Sequence, residues 1–227
     1  MQPRELLGTA RVPGGDDLRL FAKGGDFIIA LDRNELMSSR MSGSEEALAT
    51  MTLDRLRHAR APHLLIGGYG MGFTLRAALA RLPANGRATV VELVPEIVDW
   101  ARGAMAAMTG DCLDDPRTTL VFADVADAIA TAAHVYKGGV DAILLDVDNG
   151  PDGLVRAAND RLYSPAGLEA ARAALTPGGV LAVWSAGPDA AFRRRLERAR
   201  FTIDEVAVRA RSNGKGPRHV IWFATPR

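Results

Sequence analysis

This chain of 227 residues holds a single cysteine, Cys112. No disulfide framework and no cysteine-rich zinc site can form within one chain, and a reducing, cytoplasmic setting fits. Histidine is nearly as scarce. His58, His63, His134 and His219 are scattered over expected helix ends and strand starts, and none is spaced to pair with another on a metal, so no metal site is expected. No run approaches about 18 apolar residues, so no membrane span is expected. Met1 to Ala10 has no charged segment leading into an apolar one, so no secretory signal is expected there. Neither sign of charge dominates: Lys plus Arg number 28 and Asp plus Glu 27. No whole-molecule field therefore points to nucleic acid. There is no G-x-S-x-G elbow. Cys112 reads as a packing residue and Arg193-Arg194-Arg195 as a solvated helix face.

The length suits one sizeable core with a small appendage. Residues 1–43 read as an N-terminal β-hairpin segment, with apolar Leu18–Phe21 and Phe27–Leu31 flanking Ala22-Lys23-Gly24-Gly25-Asp26. Asn34–Gly43 is polar and reads as a loop. Residues 44–227 read as a nucleoside-binding catalytic α/β domain. Ser44 is placed to cap a helix running from Glu45 to about Ala59, with Leu48, Met51, Thr52 and Leu56 on one face. Pro62 stops it. Strands are then expected over 64–66, 88–93, 118–122, 141–146, 180–184, 201–208 and 218–224. Helices are expected over 73–82, 96–107, 125–133, 164–174 and 188–199, with Thr176-Pro177-Gly178-Gly179 as a stop signal. Right-handed crossovers turn this order into a doubly wound, mostly parallel seven-stranded sheet in a three-layer sandwich, with one antiparallel strand.

The most informative stretch is His63-Leu64-Leu65-Ile66-Gly67-Gly68-Tyr69-Gly70-Met71-Gly72, followed by a helix pattern and then Val90-Val91-Glu92. An apolar strand enters a glycine-rich turn, and the next strand ends on a carboxylate. The glycines let a ligand approach the backbone, and the acid can accept hydrogen bonds from both ribose hydroxyls. Ligands of open α/β sheets bind outside the carboxyl ends of the strands. That edge receives Asp124, Asp146, Asp148, Asn149, Trp184 and Ser185. Asp146 and Asp148 are either a helix cap and a turn former or a pair that holds an ammonium and takes its proton. Asp124 either caps the helix after it or accepts from an adenine amino group.

Together these pieces resemble the spermidine synthase-like (polyamine aminopropyltransferase) family of the class I S-adenosylmethionine-dependent methyltransferase superfamily. The resemblance runs from the hairpin to about Trp184. It rests on Leu65-Ile66-Gly67-Gly68 with Thr74-Leu75-Arg76, and on Val91-Glu92-Leu93-Val94-Pro95-Glu96-Ile97-Val98. Asp114-Asp115-Pro116-Arg117, Asp124, and Asp141-Ala142-Ile143-Leu144-Leu145-Asp146 with Gly150-Pro151 continue it. Leu162-Tyr163-Ser164 and Leu175-Thr176-Pro177-Gly178-Gly179-Val180-Leu181 complete it. It implies a Rossmann-like methyltransferase fold and aminopropyl transfer to a small-molecule amine. Decarboxylated S-adenosylmethionine would be the co-substrate, with no prosthetic group, no nucleic-acid or membrane partner, and a homodimer. Glu92 would hold the ribose, Asp124 would face the adenine, and Asp146 would orient and deprotonate the amine. The nucleoside contacts expected are Gly67, Gly68, Tyr69, Gly70, Gly72, Glu92, Leu93, Asp124 and Val125. Asp146 and Asp148 are the catalytic candidates, and Glu45, Glu46 and Asn149 the substrate-binding ones.

Three features depart from the family pattern. The glycine turn is one residue longer and lacks the acid that holds the donor's free amine. The family's Tyr-His-Glu near the first helix reads Ser44-Glu45-Glu46. The loop Asp146-Val147-Asp148-Asn149-Gly150-Pro151 is one residue shorter. A methyltransferase using intact S-adenosylmethionine and a non-catalytic nucleoside-binding homologue therefore stand as alternatives.

Overall fold

The computed structural model describes residues 3–32, 34–147 and 160–227. The chain opens with β1 (Glu5–Arg11), β2 (Asp17–Lys23), β3 (Asp26–Leu31) and β4 (Asn34–Ser38). These form an antiparallel sheet in sequence order. The expected hairpin is its centre, paired from Leu18↔Leu31 to Lys23↔Asp26. Asn34–Gly43 is not all loop. Its first five residues pair with β3 as β4, with a register irregularity between Ile29 and Ala30. β1 is a further strand that the hydrophobic pattern did not reveal.

The helix α1 (Gly43–Arg55) starts one residue before Ser44. Ser42 takes the cap position without a side-chain cap bond, and Ser44 is fully buried in the first turn. The helix also stops short of Ala59. β5 (His63–Gly67), α2 (Phe73–Leu79), β6 (Arg87–Glu92) and α3 (Pro95–Arg102) follow. The expected helix 96–107 breaks at Gly103, a residue of poor helix propensity, and resumes as α4 (Ala106–Thr109). Then come β7 (Thr118–Phe122), α5 (Val125–Val135), β8 (Val140–Leu145) and α6 (Pro165–Ala174). The Thr-Pro-Gly-Gly stop lies inside β9 (Leu175–Ser185) rather than in a loop. Pairing with β8 is irregular between Val140 and Ala142, which accommodates the Pro-Gly-Gly. Thr176 Oγ1 donates to Asp141 Oδ1 at 3.0 Å to fix the junction. α7 (Ala190–Arg198), β10 (Phe201–Arg209) and β11 (Arg218–Pro226) close the chain.

The second sheet runs β10-β11-β9-β8-β5-β6-β7. β11 is antiparallel to both neighbours and the other pairs are parallel, as the alternation predicts. Strand alternation sends Leu64 and Ile66 to one face and Leu65 to the other. The first face packs with α1, α2, α3 and the N-terminal sheet, joining Leu20, Ile29, Leu48, Ile66 and Phe223 in one core. The second packs with α5, α6 and α7 around Leu65, Ile143, Phe192 and Trp222. After β7 the chain returns to the other side of β5, so the topological switch point lies between β5 and β8. The N-terminal sheet stands on the helix side of this edge.

Candidate active site

A cavity of about 380 Å³ opens at the switch point. Gly68 and Gly70 of the turn after β5, Glu92 and Leu93 after β6, and Asp146 and Val147 after β8 line it. The N-terminal sheet and the segment after it roof it with Val12, Leu18, Ile29, Glu35, Leu36, Met37 and Met41. Val94 and Ile97, Glu45 of α1, Trp184 of β9 and His219 of β11 also line it.

Glu92 is 4% exposed, and both its carboxylate oxygens are engaged by backbone. The Tyr69 amide donates to Oε2 and the Val94 amide to Oε1, each at 2.8 Å. Each oxygen keeps acceptor capacity, which matches a vicinal diol. Burial raises the Glu92 pKa, and the surrounding backbone amides oppose the rise.

Burial pushes the Asp146 carboxyl well above its ordinary range. The Glu45 charge adds to the rise and a hydrogen bond from Thr74 opposes it. Burial likewise raises Glu45, opposed by the Ser44 hydroxyl, which donates to its Oε2 at 2.6 Å. Burial lowers His219 and so favours its neutral form. Glu35, Glu45, Glu92 and Asp146 give the wall four carboxyl groups, and no Lys or Arg lines it among the described residues. Glu35 is exposed and already paired with Arg4 at 3.3 Å. The poorly solvated Glu45 and Asp146 repel each other, and an ammonium or a sulfonium beside them relieves that repulsion.

The structure gathers Gly68, Gly70, Glu92, Leu93, Asp146 and Glu45 from among the expected site residues. Gly67, Tyr69, Gly72, Glu46, Asp124 and Val125 are not among the cavity's lining residues. Tyr69 supplies its amide to Glu92, but its hydroxyl lies 3.3 Å from Cys112 Sγ, away from the cavity. That ring folds over Gly72, where a Cβ would sit 2.7 Å from the Tyr69 hydroxyl. Gly67 backs onto Val125, whose Cγ2 would lie 2.7 Å from a Cβ there. Asp124 caps α5 by accepting from the Ala126 amide at 2.9 Å and pairs with Arg161 at 2.8 Å. Glu46 is half-buried and outside the cavity lining. Asp148, Asn149, Gly150 and Pro151 lie outside the described residues.

Glu35, Met37 and His219 are among the lining residues that were not expected at the site. Glu35 sits on the strand read as a loop. Met37 of the same strand has its sulfur where a Gly70 Cβ would fall, at 2.7 Å. His219 gives no local signal, because its partner Ser44 is 175 residues away. Among the described residues no His, Cys, Asp and Glu group of three or more is arranged to hold a metal ion.

Fold and cavity together define a Rossmann-like α/β protein with a carboxyl-lined cavity at the switch point of its sheet. The chain belongs to the spermine/spermidine synthase family, whose "Spermine/spermidine synthase domain" model matches residues 42–190. It is 31% identical over 185 residues to the polyamine aminopropyltransferase of Mycobacterium tuberculosis, a match covering 82% of this chain and 31% of that protein. The chain thus spans about a third of the length of that curated relative. The spermidine synthase from Thermotoga maritima superposes with a TM-score of 0.76 at 20% identity, covering 98% of this chain and 73% of that one. Human methyltransferase-like protein 13, in complex with SAH, gives 0.57 at 21% identity, covering 82% and 79%. These two structural likenesses establish the methyltransferase-type fold.

Proposed function

We propose that this chain transfers an aminopropyl group from decarboxylated S-adenosylmethionine to a small amine, acting as a cytoplasmic homodimer. The observation that carries the reading is the cavity wall: four carboxyl groups and one histidine, with no Lys or Arg among its described residues. A donor without a carboxylate suits that wall. An intact methionine carboxylate would face like charge there, with no Lys or Arg among the described lining residues to meet it.

In this reading Glu92 accepts from the ribose diol, and the nucleoside lies along Gly68, Gly70, Leu93, Val94 and Ile97. Asp146 faces the acceptor amine, stabilises its cation and orients it. The neutral amine attacks the carbon beside the sulfonium. A C–N bond forms as the C–S bond breaks, and its electron pair goes to sulfur, releasing methylthioadenosine. The sulfonium already activates that carbon, so the protein's work is positioning, electrostatics and removal of one proton. Asp124 already caps α5 and pairs with Arg161. It would reach an adenine only with what remains of its acceptor capacity. Asp148 and Asn149 remain part of the proposal as acceptor contacts, with Glu45 nearer the amine than Glu46.

A second reading, methyl transfer from intact S-adenosylmethionine, is favoured by the turn Gly68-Tyr69-Gly70-Met71-Gly72: the intact donor carries a carboxylate beside its amine, and this turn has no acid to repel it. Calorimetric titration with methylthioadenosine, S-adenosylmethionine and its decarboxylated form separates the two. Preference for the decarboxylated form with product formation from an amine panel is expected. Preference for the intact form selects methyl transfer. Binding without turnover of any amine selects the non-catalytic homologue.

A further inference from the structure

We infer that His219, Ser44 and Glu45 form a hydrogen-bonded relay that accepts the acceptor amine's proton at His219 Nε2 and stores it on Glu45. The inference rests on the transfer reading above and deepens it. Ser44 is fully buried, and its hydroxyl lies 2.6 Å from Glu45 Oε2 and 2.9 Å from His219 Nδ1. A serine hydroxyl has one proton to give. Donated to the Glu45 carboxylate, it leaves Ser44 Oγ as the acceptor of a proton on His219 Nδ1. A neutral ring protonated at Nδ1 carries its lone pair on Nε2, and no described residue hydrogen-bonds that atom.

His219 and Glu45 line the same cavity as Asp146. The ring is held edge-on to Trp184, with centroids 4.6 Å apart and planes at 71°. Around it stand Ser44 and Glu45 from α1, Trp184 from β9 and Val208 opposite on β10. Asp146, Glu35 and Glu92 are the other ionisable groups of the cavity wall. Burial favours the neutral ring over the charged one, which suits a ring that passes a proton on rather than holding it.

The proton movement balances. Nε2 takes one proton from the amine, Nδ1 passes one to Ser44 Oγ, and Ser44 passes its own to Glu45 Oε2. The ring ends neutral with its proton on Nε2, Ser44 is again a hydroxyl, and Glu45 is a neutral acid. One proton has left the amine, and the repulsion between Glu45 and Asp146 has been removed. Asp146 keeps its charge for the cation beside it. In this scheme His219 is a catalytic residue and Ser44 a positioning residue.

The test is His219→Asn, whose amide nitrogen can take the place of Nδ1 and hold Ser44 while the titrating nitrogen is lost. The expected result is a kcat about 10- to 100-fold lower with methylthioadenosine affinity unchanged, and partial rescue by added imidazole or by raised pH. Normal kcat in this variant across the pH range, with an active wild type, overturns the relay and leaves the transfer reading intact. Nitrogen-15 NMR of the ligand-free wild-type protein reads the relay without turnover. At about pH 8, His219 is expected protonated at Nδ1 and bare at Nε2, and Ser44→Ala should abolish that preference. The opposite tautomer in the wild type overturns the relay. A wild-type enzyme that transfers nothing from the decarboxylated donor overturns the transfer reading instead, and the tautomer still decides the hydrogen-bond polarity.

Discussion

The Tyr69 amide and the Glu92 carboxylate meet at 2.8 Å, tying the glycine turn after β5 to the end of β6. The second carboxylate oxygen is held by the Val94 amide at the start of α3. The acid is thus a structural clasp between two strand ends as well as the proposed diol acceptor. Few side chains could do both, because the clasp needs two acceptor atoms and the ligand needs lone pairs beyond them.

Glu92→Gln is expected to fail in both roles. An amide group must turn its NH2 toward either the Tyr69 or the Val94 amide, setting donor against donor. Methylthioadenosine affinity should fall by about 1.5–3 kcal/mol, measured by calorimetry. Thermal stability of the ligand-free protein should fall with it. Wild-type affinity in the variant would remove the ribose assignment.

Asp146→Asn is expected to raise stability while removing turnover. Burial and the Glu45 charge lift the folded pKa of Asp146 above its unfolded value. A raised carboxyl contributes stability below its ordinary value of 3.8 and loses it as pH rises through the folded value. Asparagine cannot ionise, so the variant should melt higher than wild type at alkaline pH, with the gap closing toward pH 3.8. For a domain of this size each kcal/mol appears as about 2–4 °C in Tm. Turnover should fall by roughly 10²–10⁴ with nucleoside affinity kept. Normal turnover would move Asp146 out of the chemistry, and a lower Tm at alkaline pH would remove the charge-burial account.

Much of this site was legible because its signals are local. Leu64-Leu65-Ile66 entering glycines, and Val90-Val91 ending on Glu92, each announce a strand and its carboxyl end within a few residues. Asp146 follows from the same rule applied to the apolar run 142–145. β1 and β4 were illegible for the opposite reason. Much of each is solvent-exposed or half-buried, their pairing is irregular, and neither shows clean alternation. Thr176-Pro177-Gly178-Gly179 reads locally as a stop, yet irregular pairing with β8 carries it within a strand. His219 became a site residue only when β11 was inserted beside β9, which brought it to Ser44. Such a contact depends on topology and leaves no mark on neighbouring residues.

The N-terminal sheet offers an edge for self-association. β1 is its outer strand, and Leu6 and Leu7 on it are 55% and 38% exposed. An exposed strand edge with apolar side chains favours pairing with another chain. A Leu6→Lys, Leu7→Lys double variant is expected to shift the proposed dimer to monomer by light scattering, with methylthioadenosine binding retained. A wild-type monomer at tens of micromolar would overturn the dimer.

Gly70 links the nucleoside turn to the N-terminal sheet. Its φ is +54°, a conformation that costs an L side chain about 1–2 kcal/mol. A Cβ there would also fall 2.7 Å from Met37 Sδ and 2.9 Å from its Cε. Met37 is a flexible chain end, so it can retreat, but it retreats from the cavity wall it helps to form. Gly70→Ala is therefore expected to lower Tm by about 2–8 °C and to weaken methylthioadenosine. Adding Met37→Ala should recover the affinity lost to the displaced side chain, while the backbone cost persists in the Tm. If Gly70→Ala melts like wild type, the left-handed turn is not required. If the double variant binds no better than the single one, Met37 does not couple β4 to the nucleoside site.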